Sequence, residues 1–172
     1  RLCQHLHISL QSGCDKILSV MNRPYTTEYF TKRIEKIKAV LPDISISTDV
    51  IVGFPGENEE DFRETCAYVE KIKFSKLHVF PFSAHAQTPA DSLPDKVSSN
   101  DIKKRAQQLR LIAEKLEIKY KANFIGQRLP VLVEYKNEKI ARGKTEYYFD
   151  LDKNNFSHDI KEGDILDMEV SY

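Results

Sequence analysis

The run "STDVIVGFPGENEEDF", Ser47 to Phe62, does most to limit what this chain can fold into. Val50, Ile51 and Val52 form a continuous β-branched run, the pattern of a parallel strand covered on both faces. A glycine turn follows. Asn58 is then placed to cap a helix whose first turn holds Glu59, Glu60 and Asp61, where carboxylates complement the helix dipole. Phe62, Cys66, Val69 and Ile72 recur at helical spacing behind it. Such turns often hold phosphate, but Glu57, Glu59, Glu60 and Asp61 would repel an anion at this mouth. The turn suits a cationic ligand, or one with hydroxyls to donate, approaching a backbone left bare by Gly53 and Gly56. An ordinary β-to-α connection fits the same residues, because a short glycine motif is weak evidence alone.

The flanks repeat the alternation. Strands are expected at His5–Leu10, Ile44–Val52 and Lys76–Phe82, with helices around Asp15–Met21, after Thr26 and over 59–73. Phe30, Ile34, Ile37 and Leu41 give the second helix one apolar face before Pro42 stops it. Strand and helix in turn predict a parallel α/β sheet of about three strands. A polar loop at 83–99 leads to a long helix from about Ser99 to Tyr120, carrying Ile102, Ala106, Leu109, Ala113 and Leu116 on one side. After Gly126 the pattern changes to short segments at Leu129–Tyr135, Lys139–Gly143, Thr145–Leu151 and Ile165–Val170, which predict a small antiparallel barrel. The expected division is therefore 1–125 and 126–172.

Charge separates the same regions. The net formal charge is zero, yet residues 99–148 carry 12 Lys and Arg against 6 Asp and Glu, while residues 149–172 carry 2 against 7. A basic stripe in a neutral protein suits a polyanion, and a solvated helix explains part of it equally. Cys3, Cys14 and Cys66 are odd in number and without paired spacing, so neither a disulfide framework nor a zinc site is expected. A reducing cytoplasm fits. No apolar run reaches membrane-spanning length, the first residues lack a signal-peptide layout, and Arg1 within a strand-like run suggests a piece of a longer chain.

Three separated motifs, "HISLQSGCD" at 7–15, "STDVIVGFPGENEEDF" at 47–62 and "KLHVFPFSAHAQTPA" at 76–90, occur with "MNRPYTTEYF" and a tail opening "FIGQRLPVLVEY". Together they resemble the radical S-adenosylmethionine (SAM) methylthiotransferases that modify tRNA, most nearly the branch acting on threonylcarbamoyladenosine beside the anticodon. The resemblance implies the second half of a parallel radical SAM barrel followed by a TRAM domain, an OB-like RNA-binding β-barrel. It implies SAM as cofactor, held by Gln11, Ser12, Asp49, Gly53, Gly56 and Glu57, with the third strand and its Phe80 walling the adenine. It also implies 4Fe-4S clusters in the full-length protein, one held by a Cys-x3-Cys-x2-Cys loop and a second by an N-terminal domain, with the catalytic cysteines before Arg1, so this chain alone should be inactive. The expected partners are tRNA, the remaining half of the same protein, and a second chain at an exposed sheet edge. A binding module without catalysis is the other class considered, and a coproporphyrinogen oxidase type of radical SAM enzyme the more distant one.

In the tail, Arg128, Arg142 and Lys144 lie among Tyr135, Tyr147, Tyr148 and Phe149, and Arg128, Arg142, Lys144 and Tyr147 are the candidate RNA contacts. Neighbours on a strand face opposite ways, so one of Tyr148 and Phe149 should be core. "KTEYY" departs from the family's Thr-Glu-Asn-Tyr, and Ala86 and Gln87 stand where the family shows a basic residue and Gly-Thr-Pro. His5 and His7 share one strand face, as a metal pair would, but without a further ligand in sequence they read as structural polar groups. His78 and His85 show no partner in the sequence, while Cys14 and Cys66 read as buried thiols.

Overall fold

A computed structural model describes residues 3–84, 88–154 and 159–171. Strands β1 (His5–His7), β2 (Ser45–Val52) and β3 (Lys76–Pro81) form a parallel sheet in the order β1-β2-β3. The three parallel strands with their helices are the α/β class that the alternation predicts. β1 is shorter than the expected His5–Leu10. Its ladder ends with His7 opposite Ser47, and Gln11 rejoins β2 opposite Val50, four residues against three. That extra residue makes a bulge. The bulged groups find a side chain instead: Thr48 Oγ1 accepts from the Leu10 amide and donates to the Ile8 carbonyl. Gln11 takes up a left-handed φ of 73° to complete the turn back.

Helix α1 (Asp15–Val20) packs Ile17 in a separate cluster with Cys14 and Phe54, while α2 (Thr27–Val40), α3 (Glu59–Ile72) and α4 (Ser99–Ala122) cover one face of the sheet. On that face Ile46, Val50, Val52 and Leu77 pack with Phe30, Ile34, Phe62, Val69 and Leu109 in one core. α3 starts where Asn58 and Asp61 form a reciprocal capping box, so the acids of its first turn serve the helix end as expected. The opposite face carries His5 and His7 of β1, Ser47, Asp49 and Ile51 of β2, and Lys76, His78 and Phe80 of β3, by strict alternation. One face is oily and helix-covered; the other is polar.

β4 (Arg128–Lys136), β5 (Ile140–Thr145), β6 (Asp150–Asn154) and β7 (Ile165–Glu169) form a curled antiparallel sheet in the order β6-β5-β4-β7. The expected strand Thr145–Leu151 is divided. Thr145 ends β5, a turn closes with the Thr145 amide donating to the Phe149 carbonyl, and β6 begins at Asp150. Tyr148 sits in that turn at φ 67° and is exposed, whereas Phe149 is buried with Phe124, Leu129 and Val170. Tyr120 of α4 packs against the same cluster, so the long helix joins the two sheets. Among the described residues no helix is long and apolar enough to cross a membrane.

Candidate functional site

The polar sheet face gathers titratable groups along a hydrogen-bonded line. Ser47 Oγ lies 2.9 Å from His5 Nε2 and 2.9 Å from His7 Nδ1. The other nitrogen of His7 lies 3.0 Å from Asp49 Oδ2, which also accepts from the Ser9 hydroxyl at 3.0 Å. His78 faces the same carboxylate, and one ligand atom each from His7, Asp49 and His78 falls within 4.8 Å of the others. Burial, with His7, Lys76 and His78 nearby, holds the His5 imidazole below its usual value. Sequence reasoning grouped His5 with His7, gave Asp49 to the cofactor and found no partner for His78. Only the parallel register, which sets His7 opposite Ser47 and Asp49 opposite His78, brings them together.

The glycine turn differs from its sequence reading. The Glu57 side chain is fully buried: Oε1 accepts from the Gly53 amide at 2.8 Å and from Arg105 Nη1 at 2.7 Å. Burial raises its carboxyl, and the Gly53 and Arg105 donors offset that only in part. Glu57 Oε2 and Arg105 Nε are buried without a protein partner. Glu57 therefore clamps the turn to α4 and does not line its mouth. Gly53 is bare for an internal reason as well, since a Cβ there would lie 2.4 Å from Ile102 Cγ1. Asp61 pairs with Lys16 at 2.6 Å; burial alone would raise its carboxyl, but Lys16 and the Asn58 amide more than offset this and lower it. Ser12 is buried, its hydroxyl shared with Thr65 and the Cys14 amide. Of the residues assigned to the cofactor, Gln11, Asp49, Gly56 and Phe80 remain accessible, Phe80 being 50% exposed on the polar face. Space around Gly56 is open.

The three thiols do not meet. Cys3 is exposed, Cys14 precedes α1, and Cys66 lies on α3; burial pushes both of the latter up to about 11. His85, Ala86 and Gln87 lie outside the described residues.

The tail's cations are largely engaged. Arg142 donates twice to Asp152, at 2.7 Å each, and Lys144 lies 2.6 Å from Asp150 and 3.9 Å from Glu134. Arg128 is exposed and donates to the Asp167 carbonyl at 3.0 Å. Tyr147 packs on Phe124 with ring centroids 4.5 Å apart and is half-buried. Tyr135 and Tyr148 are the exposed rings among the described tail tyrosines; Tyr148 stacks on His5 at 4.3 Å and lies under the Lys144 ammonium. The turn at 146–149 thus leaves Phe149 as the core member of the Tyr148–Phe149 pair and turns Tyr148 outward beside the half-buried Tyr147.

Residues 2–69 match the profile of the Radical SAM superfamily. The chain is 42% identical over 149 residues to the threonylcarbamoyladenosine tRNA methylthiotransferase MtaB of Thermotoga maritima, an alignment covering 86% of this chain and 34% of that protein. It is 40% identical over 133 residues to the tRNA-2-methylthio-N(6)-dimethylallyladenosine synthase of Desulfitobacterium hafniense, covering 77% and 30%. The protein of the latter name from Thermobifida fusca aligns with 97% of this chain at 37% identity, over 35% of its own length. The chain spans about a third of the length of these curated relatives.

Proposed function

Over most of its length this chain is homologous to the radical SAM tRNA methylthiotransferases, and on that premise we propose that it supplies the SAM-facing sheet and an RNA-binding unit of such an enzyme. The protein carrying it adds a methylthio group to a modified adenosine of tRNA, threonylcarbamoyladenosine in the reading preferred here. The dimethylallyl adenosine is the second reading, because relatives named for it match at 40% identity against 42%. The observation that carries the proposal is the open polar face running to the carboxyl ends of three parallel strands, of which β1 and β2 lie within the stretch that matches the superfamily and β3 follows it. Ligands bind outside the carboxyl ends of such strands.

SAM is cationic at its sulfonium and ammonium and carries an adenine and ribose hydroxyls. The residues present suit it: Phe80 offers an exposed ring for the adenine, Ile51 lies beside Phe80 in the register, and Gln11 bridges to Val50 of β2 just beyond β1. Gly56 leaves the rim open. Gly53, Ser12 and Glu57 shape this rim from behind instead of touching ligand. Asp49 is bound into the histidine line and gives the face its negative charge. When bound, SAM supplies the radical precursor and the methyl group; the residues here hold and orient it. An iron–sulfur cluster needs several convergent thiolates, and Cys3, Cys14 and Cys66 do not fit one. No step through a cluster is derived from this chain.

The test is equilibrium binding of SAM to the chain and to Phe80→Ala. Loss of one aromatic stacking partner should weaken binding by about 1 kcal/mol. Equal binding by both forms would place the cofactor elsewhere.

A further inference from the structure

We propose that His7, Asp49 and His78 form a binding site for a borderline first-row divalent cation on the polar sheet face. Three features point to it, and none depends on the function proposed above. The first is convergence. Ligand atoms of the three residues lie within 4.8 Å of one another, and His7 Nε2 is already 3.0 Å from Asp49 Oδ2. Bonds of roughly 2.0 to 2.2 Å about one tetrahedral centre set donors roughly 3.3 to 3.6 Å apart. Two donors are thus close to ligating separation, and the third, on His78, lies within 4.8 Å of both.

The second is the donor set. Two imidazoles and one carboxylate suit zinc, cobalt or ferrous iron, whereas magnesium and calcium prefer oxygen alone. Three protein ligands on an open face leave a coordination position for an exogenous ligand, the arrangement of reactive rather than structural sites.

The third is support behind the ligands. Metal-bound histidines are oriented by a partner on their other ring nitrogen. His7 has one in Ser47, which has another in His5. With the site empty, His7 Nε2–H donates to Asp49, Ser47 donates to His7 Nδ1, and His5 Nε2–H donates to Ser47. The same line can run in reverse. His7 then gives up its Nε2 proton to solvent and takes the Ser47 proton on Nδ1. Ser47 takes the His5 Nε2 proton, and His5 gains one from solvent at Nδ1. No net charge changes, and His7 Nε2 presents a lone pair to the cation. Asp49 keeps the Ser9 hydroxyl on its ligating carboxylate.

Titrating the chain, in a Cys3→Ser background that removes the exposed thiol, with Co2+ tests this by its visible d–d bands. One equivalent should bind with tetrahedral or five-coordinate intensity, and Zn2+ but not Mg2+ should displace it. His7→Gln, Asp49→Asn and His78→Gln should each weaken binding at least tenfold, with unchanged circular dichroism. Ser47→Ala should weaken it about tenfold while keeping the band shape, as loss of an orienting partner does. Imidazole nitrogen shifts of the Cys3→Ser chain with Zn2+ provide a readout that needs no further variant: His7 Nε2 and one His78 nitrogen should move together. Absence of the bands, or bands that persist in all three ligand variants, would overturn the proposal.

Discussion

Glu57 shows most clearly how a residue legible as an acid in sequence becomes something else in the fold. Its neighbours suggested a negatively charged rim, but the carboxylate turns inward to Arg105, 48 residues on. Nothing in local spacing marks that pair. The two partners are not equivalent when one is removed. An arginine cannot shed its charge, whereas a buried glutamate can take up a proton. Glu57→Gln should therefore cost about 3 kcal/mol in denaturant unfolding, because it leaves a buried guanidinium without its main partner. Arg105→Met leaves a carboxyl already raised by burial. Its folded-state value then lies still further above the unfolded one, so the penalty shrinks as pH falls toward the ordinary carboxylate range. Unfolding curves at pH 7 and pH 5 should show the Arg105→Met deficit narrowing and the Glu57→Gln deficit holding. Parallel behaviour of the two would mean that Glu57 is already neutral in the native chain.

Elements were more legible than sites. The α3 helix could be read to its cap, because Asn58, the following acids and the apolar spacing all report on one contiguous stretch. Among the described residues, the four α-helices and seven strands follow the expected order for the same reason. Two boundaries failed where a single side chain or turn decides. Thr48 captures the backbone of 8–10 and stops β1 early, and the turn at 146–149 divides one expected strand. The His7–Asp49–His78 group depends on register between three strands, which no periodicity discloses. At this scale Gly143 is the sharpest test of the second sheet. Its φ needs no glycine, but a Cβ there would lie 2.1 Å from the Leu132 carbonyl oxygen of β4. Backbone cannot yield as a side-chain tip does, so Gly143→Ala should cost about 3 kcal/mol, at the upper end for overpacking. Amide exchange should show the loss in β4 and β5 while β2 and α3 keep their protection. Uniform loss across both sheets would show that they unfold as one unit.

For the whole molecule, two sheets tied by α4 present a polar, histidine-lined face on one and an aromatic and cationic turn on the other, with Tyr148 stacked on His5 between them. The RNA reading predicts unequal roles for the tail's cations. Arg142 and Lys144 must trade an internal carboxylate for phosphate, so each gains little. Arg128 gives up only a backbone carbonyl. Arg128→Ala should lower the salt slope of tRNA binding by about 1, and Arg142→Ala by less. A larger effect at Arg142 would mean that the Asp152 pair opens on binding. Above these parts stands the claim that the chain belongs to an enzyme placing a methylthio group on tRNA adenosine. The direct measurement is mass spectrometry of nucleosides from total tRNA of cells lacking the gene that carries this chain. One 2-methylthio adenosine derivative should disappear while its unthiolated precursor accumulates, the threonylcarbamoyl form in the preferred reading and the dimethylallyl form in the second. An unchanged set of 2-methylthio nucleosides, in a cell with no second gene of the kind, would contradict the account.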